Sequence, residues 1–224
     1  MLAGGLAAAV TMAGGADAMA SSTKSVTADR GGVSDSEAAE RHDDVFKRGS
    51  ELITPHMRLV GRTPKRTAGA SKDLRDGIRL LDEALRLYPN NWSALWIQGK
   101  AFQALDDHAQ AYARFKRSYA LEPDNADIGR ELMLECLEVG RMTEAVDVAR
   151  AASDKTPGDA GLRANLALAL LLAGRITDAG DTAGVALQMD PDDAITKSLV
   201  RIIDDVRRGK RRPPRRVSDL TSRP

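Results

Sequence analysis

Residues 92–125, 126–159 and 160–193 read WSALWIQGKAFQALDDHAQAYARFKRSYALEPDN, ADIGRELMLECLEVGRMTEAVDVARAASDKTPGD and AGLRANLALALLLAGRITDAGDTAGVALQMDPDD. Set beneath one another, the three lines share columns. Pro123, Pro157 and Pro191 lie 34 residues apart. Ala111, Ala145 and Ala179 keep the same step, as do Phe115, Ala149 and Ala183, and Ser118, Ala152 and Ala186. Independent columns with one period mark an internal repeat, and a repeat decides the architecture before any single motif does.

Each line splits into two short segments rich in Ala and Leu, with polar residues returning on one side. The segments 92–105, 108–121, 126–139, 142–155, 160–173 and 176–189 are predicted helices. Links of a few residues make neighbours antiparallel. The turn position holds Asp106, Gly140 and Gly174, and a Gly there can take the positive φ that closes a helix. Each proline stands just past a helix end, where its missing N–H does no harm. The small residues Gly99, Ala111, Ala145, Ala167 and Ala179 let helix backbones approach closely. Ala145 and Ala179 are expected at contacts within a repeat, with Glu144 exposed.

The period of 34, with small, aromatic, small and Pro at fixed offsets, resembles the tetratricopeptide-repeat (TPR) family. The first repeat carries the family's large–small–aromatic series in full, as Leu95, Gly99 and Phe102. The second has Gly129, Met133 and Cys136 there, and the third Arg163, Ala167 and Leu170, so the first-helix columns match less well than the second-helix ones. The resemblance implies an all-α, right-handed solenoid of helical hairpins, about four repeats long, that binds other proteins.

Working outward, Ser36–Ile53 is a further predicted helix, with Val45, Gly49 and Leu52 in first-helix offsets. Asp73–Tyr88 carries Gly77, Leu81 and Ala84, and Pro89 lies one period before Pro123. Residues 36–91 are therefore expected to be one more repeat, split by an insertion at 54–71; an unrelated first helix is the competing reading. The insertion holds Pro55, Gly61, Pro64 and Gly69, and is basic through Arg58, Arg62, Lys65 and Arg66. After the repeats, 194–208 is a capping helix with Ile195, Leu199, Ile202 and Val206 on one stripe. Residues 209–224 are dense in Arg, contain Pro213-Pro214, and are expected to be disordered.

The first twenty residues, MLAGGLAAAVTMAGGADAMA, end in overlapping small-x-small sites and carry no charge before Asp17. Those are signal-peptide features. No Lys or Arg precedes the apolar run, so an Ala/Gly tail is the alternative; export, periplasmic or secreted, is the favoured expectation. Residues 21–35 read as linker.

The net charge of +1 hides an asymmetry. Residues 207–224 hold eight basic residues and one acid, which leaves 25 basic against 31 acidic in 1–206. The tail cations are Arg207, Arg208, Lys210, Arg211, Arg212, Arg215 and Arg216, followed by Arg223. Charge alone could bring them to anionic lipid or nucleic acid. With 4% aromatic residues, and none among these arginines, base stacking is not suggested.

Little points to catalysis. His42, His56 and His108 lie far apart with no second ligand at helical spacing, and the single cysteine, Cys136, falls in a core column. No phosphate loop or nucleophile motif occurs, so neither an enzyme nor a cofactor is expected. No run reaches the length of a membrane-spanning helix. The resemblance places the binding groove on first-helix residues: Trp96, Lys100 and Gln103; Arg130, Leu134 and Leu137; Leu168 and Leu171. The Lys/Asn clamp that one branch of the family uses for a partner's C-terminal carboxylate is not matched. A partner protein or peptide segment is expected there, with Trp96 as anchor. The helix 160–173 is apolar almost all round, and an open apolar groove at Leu168 and Leu171 is the expectation drawn from it.

Overall fold

The computed structural model describes residues 34–58, 67 and 69–220. The signal-peptide features, nearly all of the linker and the centre of the 54–71 insertion lie outside the described residues. Among those described there are nine α-helices, two short 3-10 turns and no strand. In order they are α1 (Asp35–Ile53), α2 (Ala70–Leu87), α3 (Trp92–Ala104), α4 (His108–Leu121), α5 (Ala126–Glu138), α6 (Met142–Lys155), α7 (Ala160–Leu172), α8 (Ile176–Met189) and α9 (Ala194–Arg207). The 3-10 turns are Thr54–His56 and Val217–Leu220.

The period that organises the sequence also sets where the helices start. Asn91, Asn125, Asp159 and Asp193, each 34 residues on, cap α3, α5, α7 and α9. Their side-chain oxygens accept from the backbone N–H groups of Ala94 (2.9 Å), Ile128 (3.2 Å), Leu162 (2.9 Å) and Thr196 (2.9 Å). Such caps satisfy donors that a helix start leaves free. The ends repeat as well. Asp106, Gly140 and Gly174 all have positive φ, and the backbone N–H groups of Asp107, Arg141 and Arg175 donate to the carbonyls of Phe102, Cys136 and Leu170. Asp106 shows that the turn needs this conformation even where Gly is not supplied.

The helices pair as α1–α2, α3–α4, α5–α6 and α7–α8, and the second helix of each pair packs on the first helix of the next. Within a pair, contact is made where one backbone carries no side chain. A Cβ built on Gly99 would lie 2.6 Å from the buried ring of Phe115. One on Gly77 would lie 2.6 Å from Ile53 and 2.9 Å from the Gly49 carbonyl oxygen, so α1 and α2 cross almost backbone to backbone. Ala145 and Ala179 are fully buried at the corresponding places in α6 and α8. Glu144 is not the plain exposed site expected: it is half-buried, takes a hydrogen bond from the Tyr112 hydroxyl (2.9 Å), and pairs with Lys116.

Buried apolar residues form two clusters, one over α1–α3 and a larger one from α4 to α9 and Leu220. Trp96 and Phe102 pack against both and join them.

Two further expectations fail. Residues 209–220, expected to be disordered, fold back: Val217–Leu220 is a 3-10 turn, Leu220 is 6% exposed within the larger cluster, and Val217 packs beside it. Dense Arg and a Pro pair suggest a free tail, but two apolar residues beyond them suffice to anchor it. The second failure concerns α7. It touches α5, α6, α8 and α9, so its apolar circumference is covered on every side by the chain itself. Leu168 and Leu171 are both 0% exposed, and they are core.

Two glycine substitutions test this packing. Gly99→Ala is expected to destabilise by about 1–3 kcal/mol, because the buried Phe115 ring has no room to move away. Gly184→Ala in α8, with no atom within 4 Å of the new methyl, is expected to be neutral or to stabilise by up to ~1 kcal/mol. Chemical denaturation of the two variants beside the parent reads both.

Candidate functional site

The first helices α3 and α5 bring the polar groove residues together, although not as an open surface. Lys100 is 3% exposed, and its Nζ donates to Glu131 Oε1 at 2.9 Å. Gln103 Nε2 donates to Glu131 Oε2 and to Glu135 Oε1, both at 2.9 Å. His108 at the start of α4 completes the set, with Nδ1 3.0 Å from Glu135 Oε2. Glu131 and Glu135 are one turn apart on α5, and Lys100 and Gln103 one turn apart on α3, so two helix faces are laced edge to edge. No sequence motif singles out either carboxylate or His108. The legible signal is Glu131 and Glu135 at i, i+4 on a Leu-rich helix, one repeat on from Lys100 and Gln103.

Burial dominates the electrostatics of this set. It pushes the Glu135 carboxyl above the usual range, against the opposing pull of hydrogen bonds from Gln103 and His108. Burying a carboxylate costs solvation that its hydrogen bonds must offset, so the set adds little net stability while the loss of one partner would be costly.

The other groove candidates divide. Arg130 is buried and pairs with Asp127 at 3.0 Å. Leu137, like Leu168 and Leu171, is buried in the core, which removes it from any open groove. Trp96 and Leu134 are half-buried. The Trp96 indole N–H has no acceptor among the described residues, and Gln103 Oε1 has no donor. Buried Trp N–H groups ordinarily find a partner.

Elsewhere, reactive side chains are used for structure. Cys136 is fully buried, and burial pushes its thiol up to about 12, out of the range of a nucleophile at neutral pH. His42 stacks near Phe46 and Tyr88 and meets the cap residue Asn91 at 3.0 Å, tying α1 to α3. Among the described residues, no cluster of His, Cys, Asp and Glu has the form of a metal site, and no helix is long and apolar enough to cross a membrane. Of the tail cations, Arg207 donates to the Thr177 carbonyl of α8 at 2.9 Å, and Arg211 donates to the Asp219 carbonyl. Arg208, Lys210, Arg212, Arg215 and Arg216 have exposed side chains.

A raised carboxyl pKa fixes the sign of a pH test. Glu135 is neutral in the folded chain up to a higher pH than in the unfolded chain, so its contribution is lost as pH rises through the raised folded value. Glu135→Gln keeps an acceptor for Gln103 and cannot ionise. The stability of the variant relative to the parent should therefore increase from acid to neutral pH. A constant difference across that range, measured by urea denaturation, contradicts a buried ionising Glu135.

The comparisons agree with this geometry. The tetratricopeptide-repeat family model matches residues 66–126 and 135–194, more than half of the chain. No curated protein matches. Among solved structures, MamA residues 41 to the end from Desulfovibrio magneticus RS-1 is similar at 18% identity and TM-score 0.59, over 77% of this chain and 86% of that one. YrrB, described as a TPR protein with an unusual peptide-binding site, gives 14% identity and TM-score 0.55, over 68% and 78%. PilF of Pseudomonas aeruginosa gives 16% and 0.56, over 77% and 71%. With α3–α4, α5–α6 and α7–α8 set 34 residues apart, and with family matches across them, the chain belongs to the tetratricopeptide-repeat family.

Proposed function

We propose that this chain is a non-catalytic scaffold or adaptor that holds a segment of another protein against α3 and α5. The observation that carries the reading is Trp96. It is a large, half-buried ring at a first-helix position of the α3–α5 groove, and its remaining exposed area is suited to anchoring a partner. Leu134 offers apolar area on the neighbouring first helix. Likeness to YrrB, itself described as peptide-binding, supports the same class of ligand. Leu137, Leu168 and Leu171 have no part in this surface. The charge-driven alternative, in which the tail and the 54–71 insertion engage lipid or nucleic acid, has no such observation behind it.

Panning a displayed library of random peptides on the full chain provides a ligand for the test. Leu134→Glu is expected to weaken selected peptides by about tenfold or more, and Trp96→Ala, which removes the ring, by a similar factor. Replacing Lys210, Arg212, Arg215 and Arg216 with Ser should leave binding unchanged. If that quadruple variant loses binding while Leu134→Glu keeps it, and if binding falls steeply with salt, the ligand is held by charge at the tail and the groove reading fails.

A further inference from the structure

α9 is placed as the first helix of a further repeat, and among the described residues no second α-helix follows it. α9 begins at Ala194, 34 residues after Ala160, under the cap Asp193. It ends in a positive-φ turn at Gly209, as α3, α5 and α7 end at Asp106, Gly140 and Gly174. The closing bond is also present, Lys210 N–H to the Asp205 carbonyl at 2.8 Å, slipped by one residue from the strict period. The pattern calls for a second helix after this turn. Pro213 and Pro214 prevent it.

The chain beyond these prolines nonetheless faces inward. Val217 and Leu220 stand 34 residues after Ala183 and Ala186, the buried columns of α8. Leu220 is buried in the cluster that contains Leu199 and Ile203 of α9, with Val217 packed against that cluster. Pro214 is buried as well, so the inward residues recur every third position. Three residues per turn is the period of 3-10 and polyproline II chain, the forms a Pro pair permits. Asp219 fixes the fold-back: its carboxylate accepts from the backbone N–H of Arg215 (2.9 Å) and Arg216 (3.1 Å), and its carbonyl accepts from Arg211.

We infer that residues 210–220 are a strap that occupies the place of a second helix and covers α9. The strap opens as a unit while the rest of the array stays folded. It is held by one buried Leu, a half-buried Val and a Pro, where the other repeats use a whole helix. Weakly anchored terminal elements open locally, below the free energy of global unfolding. Beneath the strap lies an acceptor for a short apolar segment of three-residue spacing. Closed, the strap denies α9 to any other helix, the role a cap has in a solenoid.

The test is amide hydrogen exchange on the full chain, parent beside L220D, with R212S as the surface control. In L220D, amides of α9 should exchange roughly tenfold or more faster, while those of α3 to α6 are unchanged; R212S should match the parent. Adding a synthetic peptide of the sequence 209–224 to L220D should restore slow exchange in α9, and the same peptide carrying Asp at position 220 should not. Three results overturn the inference. Unchanged α9 exchange in L220D means the segment does not cover that helix. Loss of helicity throughout means the segment is part of one cooperative core. Failure of the peptide to restore protection means there is no acceptor site.

Discussion

Two helix backbones touch closely only where one of them carries almost no side chain. In this chain that requirement is met at Gly99 against Phe115 and at Gly77 against Gly49 and Ile53, and Ala145 and Ala179, in the same column as Gly77, are fully buried. Once a hairpin is closed at such a point, the lengths of its helices and links fix where the next must start. The caps Asn91, Asn125, Asp159 and Asp193 and the turns at Asp106, Gly140 and Gly174 keep that spacing at 34 residues. Caps of this kind are worth ~1 kcal/mol each. Their larger effect is to fix where each helix begins, so that the small residues meet their partners.

Stability in such an array is a sum over neighbours. α7 sits between α5 and α9 as well as between α6 and α8, which is why a sequence with so few polar residues is safe there. The α3–α5 junction is built differently. Its polar set, Lys100, Gln103, His108, Glu131 and Glu135, excludes a dry contact and fixes one register between two first helices. Trp96 and Phe102 connect the two apolar clusters at the same junction. The proposed ligand anchor is therefore also a structural joint, so ligand contact at Trp96 would bear on how the two clusters are joined.

Helix positions are largely legible in the sequence, because each rests on local signals: a capping side chain, a short Ala/Leu run, a Gly at the turn. The candidate site is less so. Leu168 and Leu171 occupy first-helix positions that face a groove in the family at large, yet burial depends on how many neighbours a helix has, which the period alone does not say. Glu131 and Glu135 look like ordinary acidic residues until α3 and α5 are set side by side. Val217 and Leu220 are hidden by the slipped turn at Gly209 and by the arginines before them, although counting 34 from Ala183 and Ala186 reaches both. Trp96 is legible as a large ring at a groove position; its lack of an acceptor is not.

The central claim is that close helix approach at the small columns sets the architecture. The most direct measurement is thermal unfolding of Ala145→Leu and Ala179→Leu beside Asp147→Leu, which adds the same side chain to an exposed site on α6. A buried Leu at either alanine should cost about 1–3 kcal/mol. In a chain of this size that corresponds to a Tm lower by roughly 2–4 °C per kcal/mol. Asp147→Leu should melt with the parent. Equal melting of all three variants would contradict the account, because the small residues would then not be where the helices touch.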